Sequence, residues 1–489
     1  MPPDLPPETD LDPEDWPAFR AQAHVMLDDI LDHVAGVRAG PVWRAPPSLL
    51  PESLSSSAPE AAVPLTEIHA DFLRDVAPFA VGNLHPRFMG WVHGAGTAVG
   101  VVAEMLAAGL NANLGGRWQA PIQLERQIAR WMAELTGLPE TSSGLFVTGA
   151  SMANFVAVLV ARAAALGPGS RTLGVAASGA RLVAYASAAA HNCVPRAMDM
   201  AGLGSDALRS IPTDAEGRID VAAAAAAIAA DRARGLTPFL LVGTAGGVDT
   251  GAIDDLGALA DLASAEGLHF HVDGAFGALG VMSPELKPLF AGMERADSIA
   301  MDFHKWGQAP YDAGFVLVRD PNKHMAAFAS PAAYLGRAER GLAAGSPWPC
   351  DFGPDLSRGF RALKVWFTLR AYGTRRLGEI MLQTCRLARR LAERVDAEPE
   401  LERLAPVPLN IVCFRYRAGA DSDRLNDELV VQLQESGIAA PSTTRIDGRL
   451  AIRAAIVGHR TRTEDVDALV EAVLSLGRRL TRAAPIVTV

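Results

Sequence analysis

Between residues 145 and 318 the chain alternates short, mostly apolar runs with longer stretches of helical periodicity, and few folds accommodate that alternation. The runs are 145–148, 181–185, 238–242, 268–272, 298–301 and 314–318. Runs this apolar belong to strands buried on both faces rather than to one-sided hairpins. The intervening segments carry helix signals. Asp220 precedes an alanine-rich stretch that Gly235 can stop, and Asp254 and Asp255 open another that ends before Gly267. Such alternation implies a mostly parallel sheet covered on both faces, an α/β fold. A ligand of that sheet belongs at the carboxyl ends of its strands.

Three of those ends carry chemistry. Lys305 leaves the run 298–301 through the turn Asp302-Phe303-His304, and Asp273 stands where the run 268–272 stops. Only four of the 45 basic residues are lysines, and Lys287, Lys323 and Lys364 have bland settings in a proline-flanked segment, a polar turn and a helical pattern. Arginine keeps its charge, whereas a partly buried lysine can lose its proton and attack a carbonyl as the free amine. On residue type alone, Lys305 could instead snorkel from a strand end and Asp273 could cap a turn. The run 145–148 leads through Gly149-Ala150-Ser151 into a helix from Met152. Unpaired backbone N–H groups and the helix dipole favour an anion there, although the same turn serves many α/β proteins.

The segment ADSIAMDFHKW, 296–306, resembles the cofactor-lysine segment of the pyridoxal-phosphate-dependent group II amino-acid decarboxylases, the family of aromatic-amino-acid, glutamate and histidine decarboxylases. HVDGAFGA, 271–278, resembles that family's aspartate motif, and TGASMAN, 148–154, its phosphate loop. The resemblance covers about residues 83–458. It implies the PLP-dependent transferase fold of type I, with a mostly parallel seven-stranded sheet in a large domain, 83–370. A small C-terminal α/β domain, 371–489, would follow, and an N-terminal helical arm, 1–82, would intertwine two protomers of a homodimer with active sites at the interface.

The resemblance also implies roles. Pyridoxal 5'-phosphate would be carried by Lys305, with Ala150, Ser151 and His304 at its phosphate, Ala275 beneath the ring and His191 flat over it. Asp273 would face the pyridine nitrogen, where a negative charge keeps that nitrogen protonated. Trp91 and His93 would line the substrate pocket, and Arg358 in SRGF would hold the substrate's α-carboxylate. The residues themselves leave other readings open: Trp91 as core, His93 as a backbone-satisfied histidine, His191 as a capping or core histidine, Arg358 on a helix surface. In GTAGGVDTG, 243–251, Gly247 and Val248 stand where family members carry hydroxyls.

The implied activity is decarboxylation of an L-amino acid, aromatic or related, to the amine and carbon dioxide, a carboxy-lyase reaction of amino-acid metabolism. One departure opens an alternative. Aromatic decarboxylases of the family carry a loop tyrosine just before the SRGF-like segment, and here no tyrosine lies between Tyr334 and Tyr372, with Trp348 and Phe352 the nearest aromatics. Loss of that tyrosine is associated in the family with oxygen-dependent aldehyde formation, so an aldehyde synthase is the second reading. A cofactor-binding protein without turnover is the third.

Composition bounds the partners. The formal charge of −10 and the lack of a basic block argue against nucleic acid or an anionic membrane. The uncharged run 141–161 is punctuated by Ser, Thr, Gly and Asn, which argues against a membrane span. Cys193, Cys350, Cys385 and Cys413 form no metal-like cluster, so reduced thiols and no metal are expected. An acidic, proline-rich start points to the cytoplasm. Trp16, Phe19, Ala23, Met26, Leu27, Ile30 and Val34 make one apolar helix face, 38–63 reads as an extended linker or arm, and 329–353 as an active-site flap or flexible connection.

Overall fold

In the computed structural model, which describes residues 10–329 and 337–483, helix starts follow their caps. Asp15, Asp220 and Asp255 each accept the N–H three residues ahead and open the helices Trp16–Gly36, Val221–Ala233 and Leu256–Glu266. Each such cap contributes about 1 kcal/mol. Gly267 closes the last of these helices at φ 63°, a conformation that costs glycine little.

Among the described residues, twelve strands form two sheets. They are β1 (Phe88–Met89), β2 (Ser143–Val147), β3 (Leu182–Ser187), β4 (Leu208–Ile211), β5 (Thr237–Thr244), β6 (His269–Asp273), β7 (Ser298–Asp302), β8 (Gly314–Val318), β9 (Leu401–Arg403), β10 (Ile411–Tyr416), β11 (Ala440–Ile446) and β12 (Arg449–Ala455). The larger sheet has seven strands in the order β2-β8-β7-β6-β5-β3-β4. Its β3, β5, β6 and β7 pair in parallel, as does β4 on β3. Strand β8 is antiparallel to both β7 and β2, so β2 runs in the same direction as β7. The ends of β2, β3, β5, β6 and β7 therefore meet on one edge. Strands β3, β7 and β8 are buried at every position, as their unbroken apolar runs require. Strand β4 is half-buried at the sheet's border, and its short LRSI pattern gives no clear strand signal.

The second sheet is ordered β1-β11-β12-β10-β9. Leu387, Leu391 and Val395 of the helix Arg361–Ala397 pack beneath it with Leu429, Leu433, Val466 and Val473 of two later helices. That long helix breaks at Gly373, where φ is 72°. The expected division at residue 370 falls beside this break. Phe88 and Met89, expected in the large domain, pair instead with Ala440 and Pro441 of the second sheet.

The N-terminal helix leaves Trp16, Phe19 and Val25 exposed, as are Ile68 and Phe72 farther along the arm. A short helix, Glu52–Ser55, interrupts the stretch read as extended. Of the expected flap, residues 330–336 lie outside the described residues. Its later part folds inward: Trp348 is buried beneath the guanidinium groups of Arg337, at 3.6 Å, and Arg117, at 4.7 Å. Among the described residues, no helix is long and apolar enough to cross a membrane.

Candidate active site

The shared strand edge opens into a cavity of about 530 Å³. Lys305 enters it three residues beyond the end of β7, with its Nζ 2.9 Å from Asp302 Oδ2. Burial by itself would pull this ammonium down, but Asp302, by charge and hydrogen bond, and then Asp273 outweigh it, so Lys305 stays above its ordinary value. The other oxygen of Asp302 accepts the N–H of Ala150, at 2.7 Å. One carboxylate thus links the lysine to the first residue of the helix Ala150–Leu166.

His304 sits behind this pair. Its Nδ1 accepts the N–H of Ala313 at 3.0 Å, which leaves Nε2 to carry the proton, 3.5 Å from Asp302 Oδ2. Burial pushes His304 down to about 4. Thr148, Gly149, Ala150 and Ser151 line the cavity where β2 turns into its helix. Gly149 and Gly314 touch backbone to backbone, and a Cβ on Gly314 would lie 2.3 Å from the Gly149 Cα. Only glycine allows that turn to close against β8.

Asp273 ends β6 and is buried. Its Oδ1 accepts the N–H of Ala275 at 3.1 Å, and its Oδ2 lies 3.7 Å from the Cys193 thiol. His191 is exposed toward the cavity, with its Nδ1 accepting the N–H of Cys193 at 3.1 Å. Ala275 contributes only a methyl group to the lining. The structure thus brings Lys305, Asp273, His191, Ala150, Ser151, Ala275 and His304 to one cavity.

The opposite wall comes from loops and the second sheet. Trp91, His93 and Tyr311 form an aromatic cluster, with His93 stacked on Trp91 at 5.9 Å and Tyr311 edge-on at 5.8 Å. Burial, then the Lys305 charge, hold His93 below the ordinary imidazole range. Gly94 lets this segment approach the lysine turn, because a Cβ there would lie 2.3 Å from the carbonyl of His304 and 2.4 Å from that of Lys305. Trp91 is held at φ 48° by Ser442, whose hydroxyl accepts its N–H, and by Arg453, which donates to its carbonyl at 3.1 Å.

Among the cavity residues that were not anticipated, Arg453 and Tyr311 stand out. Arg453 is 3% exposed and donates to the carbonyls of Trp91, Val248 and Asp249 and to the Ser442 hydroxyl, all neutral acceptors. Its one sequence signal is a lone charge inside the apolar strand LAIRAA. Tyr311 sits in an irregular loop and gives no such signal. The loop 243–251, poor in hydroxyls, serves the cavity through the backbone carbonyls of Val248 and Asp249.

Arg358 does not reach the cavity. Its guanidinium is enclosed by Glu125, at 2.6 and 3.2 Å, and by the carbonyls of Phe146, at 2.7 Å, and Leu114, at 3.1 Å. The expectation that it holds a substrate carboxylate fails because Glu125 already supplies the fork-shaped partner that arginine seeks. The pair instead braces β2, since Glu125 also accepts the N–H of Phe146.

The donor set suits a flat, phosphate-bearing aldehyde: a lysine, a helix N-terminus beside Ser151, a buried carboxylate opposite, and a small residue and an imidazole lining the space between. Among the described residues, no cluster of His, Cys, Asp or Glu could hold a metal ion.

Comparison with known proteins gives concordant results. The family model described as the pyridoxal-dependent decarboxylase conserved domain matches residues 47–417. An aromatic-L-amino-acid decarboxylase of Bacillus atrophaeus is 31% identical over 478 residues, covering 96% of this chain and 97% of that protein. A phenylacetaldehyde synthase of Arabidopsis thaliana is 29% identical over 464 residues, covering 91% and 93%. The crystal structure of Oryza sativa TDC with PLP and tryptamine superimposes with a TM-score of 0.87 at 27% identity, covering 96% of this chain and 100% of that one.

Proposed function

Because this chain belongs to the pyridoxal-dependent decarboxylase family, a carboxy-lyase family that uses pyridoxal phosphate to decarboxylate amino acids, we propose that its substrate is an aromatic L-amino acid, released as the amine. The observation that carries this reading is the make-up of the cavity wall facing Lys305: flat rings at Trp91 and Tyr311, and a buried guanidinium, Arg453, with only neutral partners. Flat rings suit a flat side chain, and a buried cation that donates only to neutral groups suits an incoming carboxylate.

When bound, pyridoxal phosphate supplies an electron sink for the pair released as the bond from Cα to the carboxylate breaks. Lys305 would anchor its aldehyde carbon. Ser151 and the Nε2 proton of His304 would hold the phosphate beside Ala150, whose own N–H is taken by Asp302 Oδ1. Asp273 would supply the negative charge that keeps the ring nitrogen protonated, and Ala275 and His191 would bound the ring. Arg453 fixes the direction of the bond that breaks by holding the substrate's carboxylate. His191, with Nδ1 occupied by the Cys193 amide, keeps Nε2 free to carry a proton toward Cα.

We also infer that two copies pair through the N-terminal arm, whose exposed Trp16, Phe19, Ile68 and Phe72 suit a second apolar surface. The four free, buried cysteines support a reducing compartment, the cytoplasm.

A second reading, oxygen-dependent aldehyde synthesis, is favoured by the lack of any tyrosine between 334 and 372. The purified, cofactor-loaded protein should release amine from tryptophan, tyrosine or phenylalanine without consuming oxygen. Oxygen uptake with aldehyde, ammonia and peroxide would establish the second reading instead. Turnover of acidic amino acids alone would overturn the aromatic assignment.

A further inference from the structure

Behind Asp273 a line of buried polar side chains runs into the core of the sheet. Asp273 Oδ2 meets Cys193 Sγ at 3.7 Å, and Cys193 Sγ meets Asn154 Nδ2 at 3.3 Å. Asn154 Oδ1 meets His271 Nε2 at 2.7 Å, and His271 Nδ1 meets Ser298 Oγ at 2.8 Å. Ser298 Oγ then meets His269 Nε2, also at 2.8 Å. Asn154, His271 and Ser298 are at most 1% exposed, so water cannot replace any of these partners.

The direction of every bond can be worked out. Asn154 Nδ2 also donates to the carbonyl of Ala150 at 2.9 Å, and a carbonyl only accepts, so the nitrogen and oxygen of this amide are assigned. Its oxygen therefore takes a proton from His271 Nε2. Burial pushes His271 down to about 4, so the ring is neutral, holds its single proton on Nε2, and accepts at Nδ1 from the Ser298 hydroxyl. Having given its proton, Ser298 Oγ accepts from His269 Nε2. At the other end, Asn154 donates to the Cys193 sulfur. Burial, reinforced by Asp273, drives the thiol's proton affinity up, so the thiol keeps its proton and passes a hydrogen bond to Asp273. Each donor points toward the cavity, and such a one-way chain polarises and reinforces its members.

We propose that this one-way donor chain, entering through Cys193 and Asn154, is a positioning element that fixes the Asp273 carboxylate toward the cofactor's ring nitrogen. The proposal rests on the reading of Asp273 given above. Ala275 N–H secures one oxygen of the carboxylate and the thiol secures the other, so the aspartate cannot turn away without breaking both. Cys193, Asn154, His271 and Ser298 are positioning residues that act through Asp273.

The test loads the full-length protein with pyridoxal phosphate labelled with ¹⁵N in the ring and reads the nitrogen resonance alongside kinetics. In Cys193→Ala the resonance should move toward the unprotonated position and kcat fall about tenfold with KM unchanged, the rate equivalent of one hydrogen bond to a charged group. Cys193→Ser, which restores an O–H donor, should recover both. Ser298→Ala, remote from the cavity, should shift the resonance in the same direction by less, and it carries the test if Cys193→Ala does not fold. A folded Cys193→Ala, or Ser298→Ala in its place, with an unmoved resonance overturns the chain. Asp273→Asn separates the two assignments: if it moves the resonance while the chain variants do not, only the chain is wrong, and if it too leaves the resonance unmoved, the reading of Asp273 fails first.

Discussion

The two walls of the cavity are built in opposite ways. The sheet-side wall, with Asp273, Asp302, His304, Lys305 and the turn at Ala150, stands on strand ends and one helix terminus, and its polar atoms are tied to one another. The facing wall, with Trp91, His93, Tyr311 and Arg453, is assembled from a loop, a second loop and a strand of another sheet. It keeps an exposed indole, a buried imidazole Nδ1 without a partner, and a cation with only neutral acceptors. On the proposed function the difference would separate labour: the interlocked wall would fix where chemistry occurs, and the facing wall would receive the substrate.

The largest expected effect tests the interlocked wall. Lys305→Ala should lower turnover by more than about a thousandfold and leave no residue tagged after borohydride reduction of the loaded protein, followed by peptide mapping. Retained colour that reduction can fix elsewhere in the chain would break the comparison at its centre. Next comes the brace behind that wall. Arg358→Met leaves Glu125 buried without its cation and should cost about 3–5 kcal/mol of stability in denaturant titration. The folded fraction should keep its KM, and a raised KM with unchanged stability would return Arg358 to substrate binding. On the facing wall, Arg453→Met should lower kcat/KM by roughly 10- to 100-fold, the cost of one or two hydrogen bonds to a charged group. An unchanged value would assign the carboxylate to another group.

The smallest effect is a shift in pH. Only the free amine of Lys305 can attack an aldehyde, and Asp302 is the leading influence holding that amine protonated against burial. Cofactor loading by the cofactor-free protein should therefore accelerate as pH rises toward the elevated Lys305 value. Asp302→Asn removes the opposing charge and leaves burial, which lowers the pKa, so the loading-rate profile should move to lower pH. A stopped-flow absorbance series across pH measures this, and an unmoved or upward-moved profile contradicts the pairing.

The same division explains what could be read from the chain alone. Lys305, Asp273 and the Ala150-Ser151 turn each lie in or just past the turn that leaves an apolar run, so local pattern places them on one sheet edge before any tertiary contact is known. Six strands of the large sheet show as runs in the sequence. Strand β4 escapes because a half-buried border strand of four residues has no periodicity to detect. The facing wall depends on contacts between distant positions. Arg453 meets Trp91 across 362 residues, and Arg358 meets Glu125 across 233, so neither partner is visible from its own neighbourhood. Arg358 was misread for that reason: SRGF shows a basic residue near the site but not the acid that claims it.

Phe88 and Met89, two residues of β1, stitch the segment bearing Trp91 and His93 to the strand carrying Ser442. With Arg453 one strand farther in, the indole, the imidazole and the guanidinium ride on a single platform. That platform is fastened to the lysine turn, since the Gly94 N–H donates to the His304 carbonyl at 3.2 Å and Gln308 Nε2 to the Val457 carbonyl at 2.8 Å, so the second sheet sets how far the three groups stand from Lys305.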